Sequence, residues 1–290
     1  MKLLSFHVKG GAIGSYGIAT DQGIVDIGAR LRDRYPDLKA LLAGNAIDAA
    51  RALCAEHADY SFDDVVYLPV IEHPGKIFGV GMNYQDKRAE FAESNPAPTL
   101  FVRFADSQTG HLADVIKPAE SQELDYEGEL AMVIGRGGKR IRREDAYSHI
   151  AGYSCYMDGS VRDWQHAWFT AGKNWPQTGA FGPWLVTPDE LPDPHKLVIE
   201  TFLNGQRVQN DNTGSMIRHI PELVEYISTF SELAPGDVIL TGSPGGVGKK
   251  RVPQLFLQHG DVIEVRIEKI GTLKNRVVAA EPNCDTRKAA

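Results

Sequence analysis

The stretch Leu124-Asp125-Tyr126-Glu127-Gly128-Glu129-Leu130-Ala131-Met132-Val133-Ile134-Gly135 places two carboxylates two residues apart at the entrance to an apolar run. Side chains at i and i+2 of a strand face the same side, so Glu127 and Glu129 aim at one point. Ala131 and Val133 continue that face, and Leu130, Met132 and Ile134 form the other, the pattern of a strand buried on both sides. Two parallel carboxylates at the mouth of a buried strand repel each other and are costly to desolvate. A bound cation removes both penalties. The competing reading is a fraying strand start that leaves both side chains in water.

A third carboxylate follows in Tyr156-Met157-Asp158-Gly159-Ser160-Val161-Arg162-Asp163-Trp164-Gln165, where an apolar run ends in Asp158. Asp158 can complete a three-carboxylate site or cap a helix. Oxygen-only ligands favour Mg²⁺, Mn²⁺ or Ca²⁺ over zinc or copper. Arg162 and Gln165 offer donors for a substrate carboxylate or carbonyl, although Arg162 can equally serve a structural ion pair. In Ala171-Gly172-Lys173-Asn174-Trp175, Lys173 is either a surface lysine or a cation near the metal.

Two further segments carry candidate chemistry. Ile239-Leu240-Thr241-Gly242-Ser243-Pro244-Gly245-Gly246-Val247-Gly248 is glycine-rich but lacks the spacing of a P-loop or a dinucleotide fingerprint. It is either a loop that offers backbone N–H groups and the Thr241 hydroxyl to an anion or a plain turn. Gly79-Val80-Gly81-Met82-Asn83-Tyr84-Gln85-Asp86-Lys87-Arg88-Ala89-Glu90-Phe91 leads from a short strand into a helix-prone turn. There Lys87 and Glu90 can share a helix face, as a functional pair or a solvated one.

The rest of the chain sets the frame. Its 290 residues suit one large domain or a main domain with an appendage, and 42% hydrophobic content is enough for a sizeable core. A net charge of −7 argues against nucleic acid or an anionic membrane as the main partner. The three cysteines, Cys54, Cys155 and Cys284, form no CxxC pair, so reduced thiols in a cytoplasmic setting are expected, with Cys155 in the core. No apolar run is long enough to span a bilayer, and the N-terminus turns polar too soon for a signal peptide.

The hydrophobic pattern predicts a strand over Lys2–Val8 and a hairpin of Ser15–Ala19 with Gly23–Ile27. Helical spacing follows in Leu38–Leu42 and Ala46–His57, the second capped by Asn45. Residues 1–70 are thus expected to form a small α/β domain and residues 71–290 the main one. In the latter, short strand-like runs recur at Ile77–Val80, Leu100–Phe104, Leu130–Ile134, Gly152–Met157, Trp184–Thr187, Val198–Leu203, Val238–Thr241, Asp261–Ile267 and Val277–Ala279. One helix, Ile220–Phe230, interrupts them, with Pro221 in its first turn. The fold class is strand-dominated α+β, and the residues from about Glu281 read as a frayed tail.

Taken in order, GVGMNYQDKRAE, LDYEGELAMVIG, AGYSCYMDGSVRDWQ, GPWLVTPDE, FLNGQRVQ and ILTGSPGGVG resemble the fumarylacetoacetate hydrolase family over roughly Pro74 to Val278. The resemblance implies a mixed β-roll, here with a small N-terminal domain, and commonly a homodimer. It implies divalent-metal ligation by Glu127, Glu129 and Asp158, with Mg²⁺ or Mn²⁺ expected. Substrate contacts carry over to Arg162, Gln165, Lys173, Thr241 and Tyr84. One departure stands out: Lys87 occupies the position of the His that pairs with Glu to activate water in the family, while Glu90 remains. Lysine has a reference pKa near 10.4, about four units above His. A charged Lys87 paired with Glu90 or with substrate is therefore expected, with Glu90 as candidate base at the metal.

These readings imply metal-dependent hydrolytic C–C cleavage of an acylpyruvate-like β-diketo acid to pyruvate and a carboxylic acid. Lys87, Glu90 and Lys173 would be the catalytic group. The rivals are an enol–keto isomerase, hydratase or decarboxylase acting on a related 2-keto acid, such as a 2-hydroxymuconate-type compound. A non-catalytic ligand-binding relic is the rival from outside enzymology.

Overall fold

The apolar runs pair into two large mixed sheets, beside a two-stranded ribbon of Leu124–Asp125 and Ser160–Val161, in a computed structural model that describes residues 1–281. Cys284 and most of the expected tail lie outside the described residues. The larger sheet has eleven strands. Its main path runs Gly23–Asp26, Gly14–Thr20, Lys2–Val8, Gly179–Val186, Ile150–Asp158, Gly128–Ile134, Val238–Leu240, Ile77–Gly81 and Thr99–Arg103. Val65–Tyr67 and Gln108–Thr109 pair off this path. The smaller sheet orders Gln206–Asn212, Val198–Leu203, Val262–Ile267, Gly271–Ala279 and Asp114–Lys117. Most pairs are antiparallel, while Val238–Leu240 runs parallel to Ile77–Gly81. The expected strand-dominated α+β class is what forms.

The central strand Gly128–Ile134 is buried along its whole length, as its two apolar faces require. Leu130, Met132 and Ile134 join a core shared with Ile199 and Val265 of the smaller sheet. Ala131 and Val133 join a second core with Leu3, Ile18, Leu41 and Leu185. The N-terminal strand Lys2–Val8 hydrogen-bonds to Gly179–Val186, so residues before 70 and after 71 contribute to one continuous sheet.

Helix Ile220–Phe230 forms as its pattern predicts, with Pro221 in the first turn and Leu223 and Ile227 buried. The region after Asn45 does not. Its helix is short, Ile47–Arg51, and Asn45 does not cap it. Asn45 instead takes a left-handed backbone (φ 50°) and donates its N–H to the Leu42 carbonyl, closing the preceding helix Leu38–Ala43. Asn tolerates that conformation better than most residues, which makes it a stop signal as readily as a start.

Close approach demands a glycine where strand Ile77–Gly81 meets Thr99–Arg103. A Cβ on Gly79 would sit 2.2 Å from the Phe101 ring. Gly79→Ala is therefore expected to destabilise the protein by about 1–3 kcal/mol, the usual cost of overpacking, read as a lower urea midpoint with an unchanged m-value.

Candidate metal centre and active site

Strand pairing builds the carboxylate cluster. Gly128 stands opposite Met157, and the Asp158 N–H donates to the Glu127 carbonyl at 2.8 Å. Asp158 is thus the cross-strand neighbour of Glu127 on the face that Glu129 shares. All three are buried, and one oxygen from each lies within 4.8 Å of the others.

Four buried cations surround them. Lys87 Nζ donates to Glu127 Oε1 at 2.7 Å and to Ser243 Oγ at 3.3 Å. Arg162 donates to the same Glu127 oxygen at 2.8 Å and, through Nε, to Asp125 at 2.8 Å. Lys173 Nζ donates to Glu127 Oε2 and Ser160 Oγ, each at 2.6 Å, and to Asp158 Oδ2. Arg103 holds the other Asp158 oxygen at 2.6 Å and also donates to the Gly159 carbonyl and Thr178 Oγ1.

Glu129 is treated differently. It accepts one N–H, from Gly242 at 2.8 Å, and no side-chain cation pairs with it among the described residues. Burial pushes its carboxyl well above the ordinary range, and Asp158 and Glu127 push it further. For Glu127, burial also pushes upward, but Arg162, Lys173 and Lys87 overcome it and hold the carboxyl well below the ordinary range. Burial lowers the Lys87 ammonium from its usual value, opposed by Glu127 and assisted by Arg162. A divalent ion fits this donor set: three convergent carboxylates of which one lacks a cationic partner.

A cavity of about 20 Å³ lies against Lys87, Glu127, Glu129, Arg162, Lys173 and Ser243, walled by apolar residues including Phe101 and Phe169. That is room for one or two water-sized groups. Phe101 also stacks under Lys173, with Nζ 4.5 Å from the ring centre.

The other expected site residues, Glu90, Thr241, Tyr84 and Gln165, do not line this cavity. Glu90 is exposed, and its carboxylate accepts the Gly246 N–H at 2.7 Å; Lys87 pairs with Glu127 rather than with Glu90. The helix Gln85–Phe91 presents the two residues to different surroundings, so the structure does not bring Glu90 to the carboxylates. Thr241 is buried and donates its hydroxyl to the Leu130 carbonyl at 2.9 Å. Among the described residues, buried Tyr84 has no partner for its hydroxyl, and Gln165 accepts from Arg162 at 3.2 Å while its amide nitrogen has no partner. Sequence reasoning passed over Arg103, Asp125, Ser160 and Ser243. Arg103 had a signal, being the one charged residue in the apolar run Leu100–Phe104.

The contrast between the two glutamates has a thermodynamic consequence. A carboxyl whose pKa is depressed on folding contributes stability that is present above its unfolded value and lost on acidification, as for Glu127. A raised carboxyl does the reverse, so Glu129 costs the metal-free fold increasing stability as pH rises from its unfolded value toward its raised folded one. Metal-free Glu129→Gln is expected to melt higher than the parent near neutral pH, with a gain that shrinks toward acid. Its affinity for Mg²⁺ or Mn²⁺ should fall by about a hundredfold or more, beyond the loss typical of residues that only support a ligand. Paired thermal melts across pH and metal titrations measure both.

The profile for the fumarylacetoacetate (FAA) hydrolase C-terminal region matches residues 76–278. The chain is 42% identical over 237 residues to human mitochondrial oxaloacetate tautomerase FAHD2A, covering 79% of this chain and 75% of that protein. Fumarylacetoacetate hydrolase from Exiguobacterium antarcticum superposes with a TM-score of 0.80 at 32% identity, over 97% of this chain and 100% of that one. Maleylpyruvate hydrolase from Sphingobium sp. SYK-6, in complex with manganese(II) and pyruvate, gives a TM-score of 0.82 at 26% identity with the same coverage. The carboxylate strand, the Asp158 strand and the glycine-rich loop all fall inside the matched region, and the chain belongs to the fumarylacetoacetate hydrolase family.

Proposed function

We propose that this protein is a divalent-metal-dependent keto–enol tautomerase of a 2-oxo dicarboxylic acid, with oxaloacetate as the first substrate to test. The observation that carries the reading is the buried Lys87 ammonium at the cavity wall, with Glu90 turned away to Gly246. No histidine lines the cavity among the described residues, so the pair expected to activate water is not assembled there. Tautomerisation needs no water: a proton leaves the C2 enol oxygen and another arrives at C3. Lys87 Nζ is suited to carry that proton, since burial moves its pKa toward the working range.

Charge balance supports a dianion. Asp125, Glu127, Glu129 and Asp158 are matched by Lys87, Arg103, Arg162 and Lys173. A divalent ion adds two positive charges, which a dicarboxylate neutralises. When bound, the ion would be held by Glu127, Glu129 and Asp158 and would supply Lewis-acid stabilisation of enolate charge. The cavity would have to widen beyond its present volume of about 20 Å³ to admit the ligand; Arg162 and Lys173 would then hold its carboxylates in position, and the apolar wall of Phe101 and Phe169 would exclude water. Similarity to FAHD2A, an oxaloacetate tautomerase, supports the same reading.

A second reading is hydrolytic C–C cleavage of an acylpyruvate-like acid, favoured by the likeness to maleylpyruvate hydrolase with manganese and pyruvate. It requires Glu90 or a substitute to reach the cavity. Loss of the enol absorbance of oxaloacetate, followed with Mg²⁺ or Mn²⁺, tests the first reading; pyruvate release from acylpyruvates tests the second. Tautomerisation no faster than the uncatalysed rate, alongside rapid pyruvate release, would reverse their order. Under the first reading Lys87→Met should lower kcat by about 10²–10⁴-fold, Lys87→His should recover part of the loss, and Glu90→Gln should change kcat little.

A further inference from the structure

The segment Phe202-Leu203-Asn204-Gly205-Gln206-Arg207-Val208-Gln209 has no part in the chemistry above, yet it ends in a glutamine that is 2% exposed. Gln209 sits on the smaller sheet, and its side chain reaches across to the larger one. Its Oε1 accepts the Gly128 N–H at 3.0 Å, and its Nε2 donates to the Pro244 carbonyl at 2.8 Å. Gly128 is the residue between Glu127 and Glu129. Pro244 lies two residues after Gly242, the N–H donor to Glu129, and next to Ser243, the partner of Lys87.

Three local features make this reach work. The strand beside Gly128–Ile134 ends at Leu240, opposite Ala131, so the ladder on that side stops before Gly128. Its N–H needs another acceptor, because a buried unpaired amide is costly. The pairing of Val198–Leu203 with Gln206–Asn212 shifts register after Thr201, which stands opposite Gln209, while Phe202 stands opposite Arg207. Val208 is the extra residue of a bulge, a device that re-aims neighbouring side chains. A Cβ on Gly128 would lie 2.1 Å from Thr201 Oγ1, so glycine is what lets the two sheets come this close.

We propose that Gln209 is a positioning residue for the metal centre. One planar amide clamps the peptide that spaces the two glutamates to the loop that orients Glu129 and Lys87. Both of its ends are required: an acceptor toward Gly128 and a donor toward Pro244. The inference rests on the metal reading of the carboxylates, but the clamp itself can be tested without metal.

The test uses the full chain. Hydrogen–deuterium exchange of the metal-free protein reads segments 126–130 and 242–246, and calorimetry reads Mn²⁺ affinity. Gln209→Leu should speed exchange in both segments and weaken Mn²⁺ binding by about tenfold or more, as losing a hydrogen-bond partner of the ligating groups does. Gln209→Glu keeps the acceptor and loses the donor, so it should speed exchange chiefly in 242–246, and it covers the case in which the leucine variant fails to fold. Val208→Ala, a cavity at the same bulge, should lower the melting temperature and leave Mn²⁺ affinity within about twofold, since it removes no hydrogen bond. Exchange and Mn²⁺ affinity unchanged in both Gln209 variants, or an affinity loss no larger than that of Val208→Ala, would overturn the proposal. An unsubstituted chain that binds no Mn²⁺ would instead defeat the metal reading, with the exchange pattern still deciding the clamp.

Discussion

Three cations converge on the two oxygens of Glu127, and the site is arranged around that contact. Lys87 comes from helix Gln85–Phe91, Arg162 from the turn after the Asp158 strand, and Lys173 from helix Thr170–Lys173. Satisfying one carboxylate therefore places three separate elements around one cavity. Such a cluster is a poor way to gain stability: each ion taken out of water costs several kcal/mol, and a well-packed apolar cluster of similar volume is often as stable. Its balance of four acids and four bases keeps that cost bearable and leaves the geometry available for chemistry.

Within that balance the charges are unevenly shared. Glu127 has three cationic donors, and among the described residues Glu129 has none, only the Gly242 backbone N–H. The local field therefore points toward Glu129, where positive charge is lacking. An ion at that end would supply the positive charge Glu129 lacks, while sharing the Glu127 and Asp158 oxygens with the lysines and arginines bonded to them. Arg103 contributes at the opposite end by occupying the Asp158 oxygen that Lys173 leaves free.

The carboxylates were legible in the sequence because strand geometry is local. Glu127 and Glu129 are two residues apart, and Asp158 closes the next apolar run. The cations were harder to read, because each depends on where a loop or turn returns. Lys173 and Lys87 could be named as candidates, but their shared partner could not. Arg103 hid inside an edge strand, and Gln209 inside a hairpin whose bulge no alternation pattern reveals. Glu90 was misplaced for a related reason: i,i+3 spacing puts it near Lys87 on the helix, yet the glycine-rich loop offers it the Gly246 N–H and Lys87 is drawn to Glu127. The continuity of the larger sheet through Lys2–Val8 was likewise invisible, since pairing with Gly179–Val186 spans most of the chain.

Lysine at position 87 changes what that helix can deliver. A neutral imidazole has one N–H to donate and one nitrogen to accept with, which suits drawing a proton from water. An ammonium has three N–H groups and no acceptor. Glu127 and Ser243 take two of them, and the Lys87 side chain lines the cavity. Held this way, Lys87 would, under the tautomerase reading, first give a proton rather than take one from water. The burial that lowers its pKa makes donation to C3 easier, and the amine so formed would regain a proton from the C2 enol oxygen. A single group that gives and regains a proton matches the symmetry of an enol–keto exchange, in which the forward and reverse reactions share one set of atoms.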